Sequence, residues 1–159
     1  MTPAINAAKK RKIAYTVHQY THDPGCESYG KEAAEKLGIA EERVYKTLVV
    51  QLDQQSLAVA VVPVSSMLSM KLIAKAAGCK KATMAEKELV EKTTGYVLGG
   101  VSPLGQKKRL VTVIDSSAKA FPTIFVSAGR RGMEIELKPA DLAALTTATF
   151  AGIRQGTDE

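Results

Sequence analysis

Two neighbouring apolar segments, residues 44–52 (VYKTLVVQL) and 57–64 (LAVAVVPV), constrain the fold of this 159-residue chain more than any other feature. Both are rich in β-branched residues, which favour extended structure. The polar DQQS between them is typical of a hairpin turn. The sequence therefore predicts an antiparallel strand pair over residues 44–64.

Helices are predicted where a capping residue precedes a short amphipathic segment and a glycine follows it. These helices cover residues 3–12, 31–38, 70–77, 86–92 and 140–145, and further strands are predicted at 13–20, 109–115, 122–127 and 133–138. Thr83 and Glu86 have the spacing of a capping box. Because strands outnumber helices and several follow one another as hairpins, we expect one α+β domain over residues 1–159. Its sheet is expected to be curved and mostly antiparallel, or an open barrel, with the helices outside.

The composition is that of an ordinary soluble globular protein, with 45% hydrophobic and 24% charged residues. No apolar run approaches the ~20 residues that cross a membrane, and the N-terminus lacks the apolar stretch of a signal peptide. A cytoplasmic location is therefore expected. The net charge of +6 favours an anionic partner, nucleic acid first. Aromatic residues make up only 5%, which argues against a platform that stacks many single-stranded bases.

Lys46 has the most unusual position of any single residue. The period-two alternation of a strand places it on the same face as Val44, Leu48 and Val50. A lysine on an apolar face must extend to water, form an ion pair or lose its proton. Two interpretations stay open: a catalytic or substrate-orienting ammonium in a cleft, or a strand-start lysine whose stem packs while its head reaches water.

Two glycine-containing basic segments, residues 98–109 (LGGVSPLGQKKR) and 126–132 (VSAGRRG), are further candidates. Gly99 and Gly100 allow a ligand to approach the backbone closely and can direct N–H groups toward a developing oxyanion. Cations suited to binding phosphates accompany both segments: Lys107, Lys108, Arg109, Arg130 and Arg131. In each case the alternative is a solvent-exposed loop or turn.

Other chemistries fit the sequence less well. His18, His22 and Cys26 are spaced four apart, but a strand and a Pro-Gly loop give them no common face, so no metal or other cofactor is expected. No GxSxG motif accompanies the two histidines, which argues against a Ser-His-Asp triad. Cys26 and Cys79 are expected to be free thiols and are not favoured as nucleophiles. Cys79 follows the end of a helix, where the dipole disfavours a thiolate.

Three motifs, VYKTLVV, TTGYVLGGVSPLGQKKR and FVSAGRRG, resemble in this order those of the YbaK/EbsC family of Cys-tRNA(Pro) deacylases. MTPAI and EAAEKLGI fit the same family, so the resemblance covers nearly the whole chain. The family is related to the editing insertion domain of bacterial prolyl-tRNA synthetase. The resemblance implies an open barrel-like sheet surrounded by helices, and an enzyme that clears cysteine attached by mistake to proline tRNA.

The resemblance also implies roles for individual residues. Lys46 corresponds to the family's essential lysine, and Gly99 and Gly100 to the backbone that meets the aminoacyl end. The substrate-binding positions that it implies are Tyr20, Tyr29, Ser102, Ser127 and Glu134. Glu134 stands where relatives usually carry Asp, and SAGRRG replaces the commoner SGGKRG. The cations beside the glycines would hold the acceptor stem.

In the mechanism that the resemblance implies, the substrate's own thiol attacks its ester carbonyl and expels the tRNA 3′-oxygen. Water as the nucleophile is the alternative. The expected partners are tRNA(Pro) charged with cysteine and, transiently, prolyl-tRNA synthetase; no membrane partner is expected. Two other functions stay open: an editing enzyme for another small amino acid such as alanine, and a non-catalytic module that binds tRNA or a synthetase.

Overall fold

The structure, a computed structural model, describes residues 1–26, 28–53 and 55–157. Within these ranges the chain forms five α-helices and eight β-strands. The helices are α1 (Pro3–Lys10), α2 (Tyr29–Leu37), α3 (Met70–Ala76), α4 (Lys87–Thr94) and α5 (Pro139–Thr146). Short 3-10 helices cover Glu41–Arg43 and Ser116–Ala120. None of the helices in the described ranges is long and apolar enough to cross a membrane.

The strands form one five-stranded and one three-stranded sheet. They are β1 (Tyr15–Gln19), β2 (Tyr45–Leu52), β3 (Leu57–Pro63), β4 (Ala82–Met84), β5 (Val111–Asp115), β6 (Ile124–Arg130), β7 (Met133–Leu137) and β8 (Thr149–Ala151). The larger sheet has the order β4-β2-β3-β5-β8 and the smaller one β1-β7-β6. The pairs β3–β5 and β5–β8 are parallel, and the other pairs are antiparallel.

The hairpin predicted from the sequence occupies the middle of the larger sheet. β2 and β3 pair antiparallel over seven positions. Gln54, in the predicted turn between them, lies outside the described residues. Alternate residues of β3 face opposite sides: Val59 and Val61 belong to one apolar cluster, and Ala60 and Val62 to another. Because β3 is buried on both faces, its sequence is continuously apolar instead of alternating.

The two sheets pack on one shared apolar core, and a single backbone bridge joins them. Val44 forms a single parallel bridge with Phe125 at the start of β6. β4 pairs only with residues 50–52 of β2, so the first half of β2 has no partner on that side in its own sheet. The described residues form no further pairing between β2 and β6. The first half of β2, immediately after Val44, therefore has an unpaired edge, and the candidate site lies beside it.

The α+β class and the mostly antiparallel pairing predicted from the sequence are confirmed. The strands are divided between two sheets, and those in the described ranges do not form a closed barrel. β4 and β8 were not predicted, since a three-residue strand is too short to show alternation. The capping box of Thr83 with Glu86 is wrong: Thr83 lies in β4, and α4 begins at Lys87 without a side-chain cap.

Candidate active site

A cleft of about 420 Å³ occupies the gap between the two sheets. Its walls are the beginning of α2, the first half of β2, the loop that contains Gly99, and the facing strands β6 and β7. Tight packing fixes the start of α2, because a Cβ atom at Gly30 would lie 2.2 Å from Cγ1 of Val64. Val64 and Met67, after β3, complete the lining, so segments that are far apart in sequence meet at the cleft.

Lys46 lies in the β2 wall of this cleft and is half-buried. Burial lowers the pKa of its ammonium, and the positive charge of Lys31 lowers it further. Lys31 lies in the first turn of α2 and also lines the cleft. A cation is disfavoured at this end of a helix by the dipole. The two lysines and the helix end together make this side of the cleft attractive to an anion.

Glu134 lies on β7, paired with Ser127 of β6, and both side chains line the cleft. The Glu134 residue is only 8% exposed, and its carboxyl group makes no hydrogen bond or ion pair with any described residue. Burial raises the pKa of its carboxyl to about 8. The group is therefore mostly protonated at neutral pH, and in that form it can donate a hydrogen bond.

The mouth of the cleft is formed by Tyr29, Arg131 and the loop at Gly99. The guanidinium carbon of Arg131 lies 4.0 Å from the centroid of the Tyr29 ring, and its Nη2 donates a hydrogen bond of 3.2 Å to the Leu98 carbonyl. Gly99 has a φ of 95°, and a Cβ there would lie 2.7 Å from both the Tyr29 ring and Arg131. Glycine is required by the backbone conformation and by the lack of space.

The structure brings together in one cleft five of the residues predicted from the sequence: Lys46, Gly99, Tyr29, Ser127 and Glu134. Gly100 is buried behind the loop, against the backbone of Arg130. Ser102 is fully buried, and its hydroxyl accepts a hydrogen bond of 3.2 Å from the Leu104 N–H. The hydroxyl of Tyr20 points to the Tyr29 carbonyl at 3.5 Å. The roles of these residues in catalysis and substrate binding stay predictions.

Sequence reasoning missed several residues that line the cleft. Lys31 could have been noticed, since a lysine in the first turn of a predicted helix is unfavourable. Thr47 carried no signal, yet its hydroxyl oxygen is buried without a hydrogen-bond partner among the described residues. Met67 and Leu98, which are 63% and 45% exposed, form an apolar rim. An unpartnered hydroxyl costs free energy unless water or a ligand satisfies it.

The predicted tRNA-binding cations lie in different places. Arg131 is at the cleft mouth, and Arg130 is exposed beside it at the β6–β7 turn. Lys107 and Lys108 are exposed, and their backbone N–H groups bond to carbonyls at the end of α4. Arg109 instead lines a second cavity. The five cations therefore do not all lie at the cleft.

The residues considered for other chemistries have structural partners. Nε2 of His18 lies 2.9 Å from a carboxylate oxygen of Glu136, and Nδ1 of His22 lies 2.6 Å from one of Glu32. The described residues contain no cluster of His, Cys, Asp and Glu that could hold a metal ion. Neither Cys26 nor Cys79 lines the cleft.

Comparison with known proteins identifies the class. The aminoacyl-tRNA editing domain family matches residues 23–145, which is most of the chain. The chain therefore belongs to the aminoacyl-tRNA editing family and is an aminoacyl-tRNA deacylase, and the resemblance seen in its motifs is confirmed.

A relative from Enterococcus faecalis, provisionally named Cys-tRNA(Pro)/Cys-tRNA(Cys) deacylase EbsC, is 39% identical over 152 residues, covering 96% of this chain and 92% of that protein. The crystal structure of the hypothetical protein APE2540 matches with a TM-score of 0.86 and 25% identity, over 97% of this chain and 100% of that one. A protein provisionally described as a trans-editing enzyme for prolyl tRNA synthetase matches with a TM-score of 0.84 and 24% identity, over 97% and 96% of the two chains. At that identity the likeness concerns the fold.

Proposed function

We propose that this protein removes cysteine from mischarged Cys-tRNA(Pro). The observation that carries the proposal is the convergence of Lys46, Gly99 and Glu134, from three separate segments, on one small cleft between the sheets. The name of the Enterococcus faecalis relative, which is similar over almost the whole length, supports the choice of amino acid and tRNA. The reaction would take place in the cytoplasm.

The nucleophile in this proposal is the thiol of the substrate. Its sulfur forms a bond to the carbonyl carbon of the same cysteine, the ester C–O bond breaks, and the thiol proton is transferred to the departing 3′-oxygen of the tRNA. The product is a cysteine thiolactone, which water then opens. The described residues that line the cleft include no His or Cys, which agrees with a protein that confines the substrate instead of attacking it.

The charges of the cleft fit a division of labour between its walls. Lys46 and Lys31 provide positive charge where the phosphate next to the terminal adenosine would lie. On the opposite wall, the protonated carboxyl of Glu134 can donate a hydrogen bond to the aminoacyl group. The unpartnered hydroxyl of Thr47 is available for the same group. The N–H group of Gly99 would face the developing oxyanion, because those of Leu98 and Gly100 already donate hydrogen bonds to Glu91 and to the Val97 carbonyl.

Attack by the substrate thiol also explains how a small cleft could be specific. A difference of one small group in a pocket is worth only ~1–3 kcal/mol, which is a weak basis for sparing correctly charged tRNA. Proline and alanine carry no side-chain nucleophile, so they would bind without reacting. Discrimination would then come from the chemistry of the substrate and not from size alone.

The experiment is single-turnover deacylation of tRNA(Pro) charged with cysteine, serine, alanine or proline. Serine is the matched control, because it replaces the thiol by a hydroxyl of similar size. We expect rapid loss of cysteine only, with thiolactone detected as the first product, and no activity in Lys46→Ala. Equal rates for cysteine and alanine would contradict the thiol mechanism and support a water nucleophile and an alanine-editing role.

A transient complex with prolyl-tRNA synthetase is part of the proposal, because an editing enzyme acting in trans has to reach the mischarged tRNA before it leaves for the ribosome. The description of the structural relative supports this partner. Sedimentation of the two purified proteins with tRNA(Pro) tests it. We expect a ternary complex, and no complex when a non-cognate synthetase replaces the prolyl enzyme.

A further inference from the structure

A second cavity, of about 290 Å³, lies between the end of α1, the loop at Gly105 and the end of α5. Three cations line it, Lys10, Arg11 and Arg109, whereas its lining contains no Asp or Glu. A concave surface with three positive charges and no negative one focuses a field that attracts anions. The cavity is separate from the cleft described above, and the two share no lining residue.

The cations of this cavity are available to a ligand. Lys10 and Arg11 form no ion pair or side-chain hydrogen bond with any described residue, and both are exposed. The helix dipole explains a lysine in the last turn of α1. It does not explain the guanidinium of Arg109, which comes from a different segment of the chain and faces the same cavity.

Arg109 is held in place by α5. Its Nη1 donates a hydrogen bond to the hydroxyl of Thr147, the residue that ends α5. Thr147 has a φ of 56°, a left-handed conformation that is rare for a β-branched residue. Such a conformation persists only where the surroundings impose it, and here it directs the hydroxyl to Arg109.

The geometry points to a phosphate site: we propose that this cavity binds backbone phosphates of the tRNA whose 3′ end enters the cleft. The proposal rests on the proposed function. The same loop joins the two sites, since Gly99 faces the cleft and Gly105 lines the cavity. The chain between these glycines spans at most ~22 Å, so one acceptor arm can reach both. Of the consecutive cations 107–109, only Arg109 belongs to this site.

The test compares Arg11→Ala/Arg109→Ala with the control Lys80→Ala/Lys81→Ala. The control removes the same charge beside β4, which forms one edge of the larger sheet. The cavity lies near the other edge, where β5 contributes to its lining. Binding of uncharged tRNA is measured by fluorescence anisotropy at several salt concentrations. We expect the cavity variant to bind at least ~10-fold more weakly at low salt, with the log–log slope reduced by up to ~0.9 for each duplex phosphate that it no longer neutralises. The control should keep the wild-type slope.

A second substrate separates this proposal from the proposed function. The cysteinyl ester of the trinucleotide CCA carries the reacting end but no acceptor stem, so the cavity variant should hydrolyse it at the wild-type rate. Loss of tRNA affinity in a protein that hydrolyses neither substrate would support the phosphate site while contradicting the deacylase proposal.

Inorganic phosphate and pyrophosphate distinguish the sources of the anion. Their binding to the wild-type cavity is followed by the Nε–H NMR signal of Arg109. If they bind at micromolar concentration, and if the double variant binds tRNA like the control, the ligand is a small phosphorylated molecule. That outcome would overturn the RNA site. Unchanged tRNA affinity and salt slope in the double variant would overturn it equally.

Discussion

Replacing Glu134 by glutamine should change how the stability of the protein depends on pH. Burial raises the pKa of this carboxyl from 4.5 to about 8 in the folded protein. The unfolded chain therefore binds fewer protons than the folded one between these values, and stability falls as pH rises through this window. At about 1.36 kcal/mol per pKa unit, the loss approaches 5 kcal/mol in total and is about 3 kcal/mol by pH 7. Glutamine has almost the same shape but no charge to bury.

The assay is urea unfolding of the wild type and of Glu134→Gln from about pH 5 to about pH 8.5, followed by circular dichroism. We expect the wild type to lose stability relative to the variant by about 1.4 kcal/mol per pH unit, with a plateau above about pH 8. Glu35→Gln, at an exposed position of α2, is the matched control and should follow the wild type.

Glu32 and Tyr20 titrate outside this window. Burial opposes the ionisation of Glu32, but hydrogen bonds from His22 and the Asp23 backbone lower its pKa to about 2, so its contribution is lost only below about pH 4.5. Burial raises the pKa of Tyr20 to about 12. If the two stability curves stayed parallel from pH 5 to pH 8, Glu134 would not be a buried, unpaired carboxyl and the proposed hydrogen-bond donor would have to be another group.

The remaining predictions concern the cleft. Lys46→Ala should abolish single-turnover deacylation with an unchanged circular dichroism spectrum, because it removes the ammonium from the cleft wall; near-wild-type hydrolysis would refute its assigned role. Gly99→Val should displace the Tyr29–Arg131 contact and lower the deacylation rate at least ~100-fold while sparing most of the tRNA affinity, since the cations remain; anisotropy and rate measurements on one preparation decide this. Cys26→Ser/Cys79→Ser should keep its activity, because neither thiol lines the cleft and the hydrogen bond with Asp53 raises the pKa of Cys79. A loss beyond ~100-fold in this double variant, with the fold intact, would favour a covalent mechanism.

Local signals were sufficient for most of the fold. The helices α1 and α3 each follow a hydroxyl residue of the kind that caps a helix: the hydroxyls of Thr2 and Ser69 accept hydrogen bonds from the N–H groups of Ile5 and Leu72. Gly38 ends α2 in the left-handed conformation, as a glycine after a short helix predicts. These features depend on residues three or four positions apart, and such patterns are readable in one sequence.

The division into two sheets depends on contacts between distant residues and was not predictable. β5 joins the larger sheet by pairing parallel to β3, and β8 pairs parallel to β5. A hairpin of apolar strands indicates its own antiparallel pairing, but nothing in the segment at residues 109–115 specifies a parallel neighbour. For the same reason the sequence identified Lys46 as unusual without showing that Lys31 would lie beside it.

The loop at Gly99 shows how the two kinds of information combine. The sequence predicts a close approach to the backbone there. In the structure, the Tyr29 ring from the start of α2 and the Arg131 guanidinium from the β6–β7 turn fill that space. Beyond Gly99 the same loop turns at Gly105, where a Cβ would lie 2.4 Å from the Pro3 carbonyl oxygen, and so contacts α1. The segment is thus closely packed at both ends, against side chains next to the cleft and against the α1 backbone next to the basic cavity. A loop held in this way can keep a reacting ester and a distant phosphate at a constant separation, which is what positioning a tRNA end for editing requires.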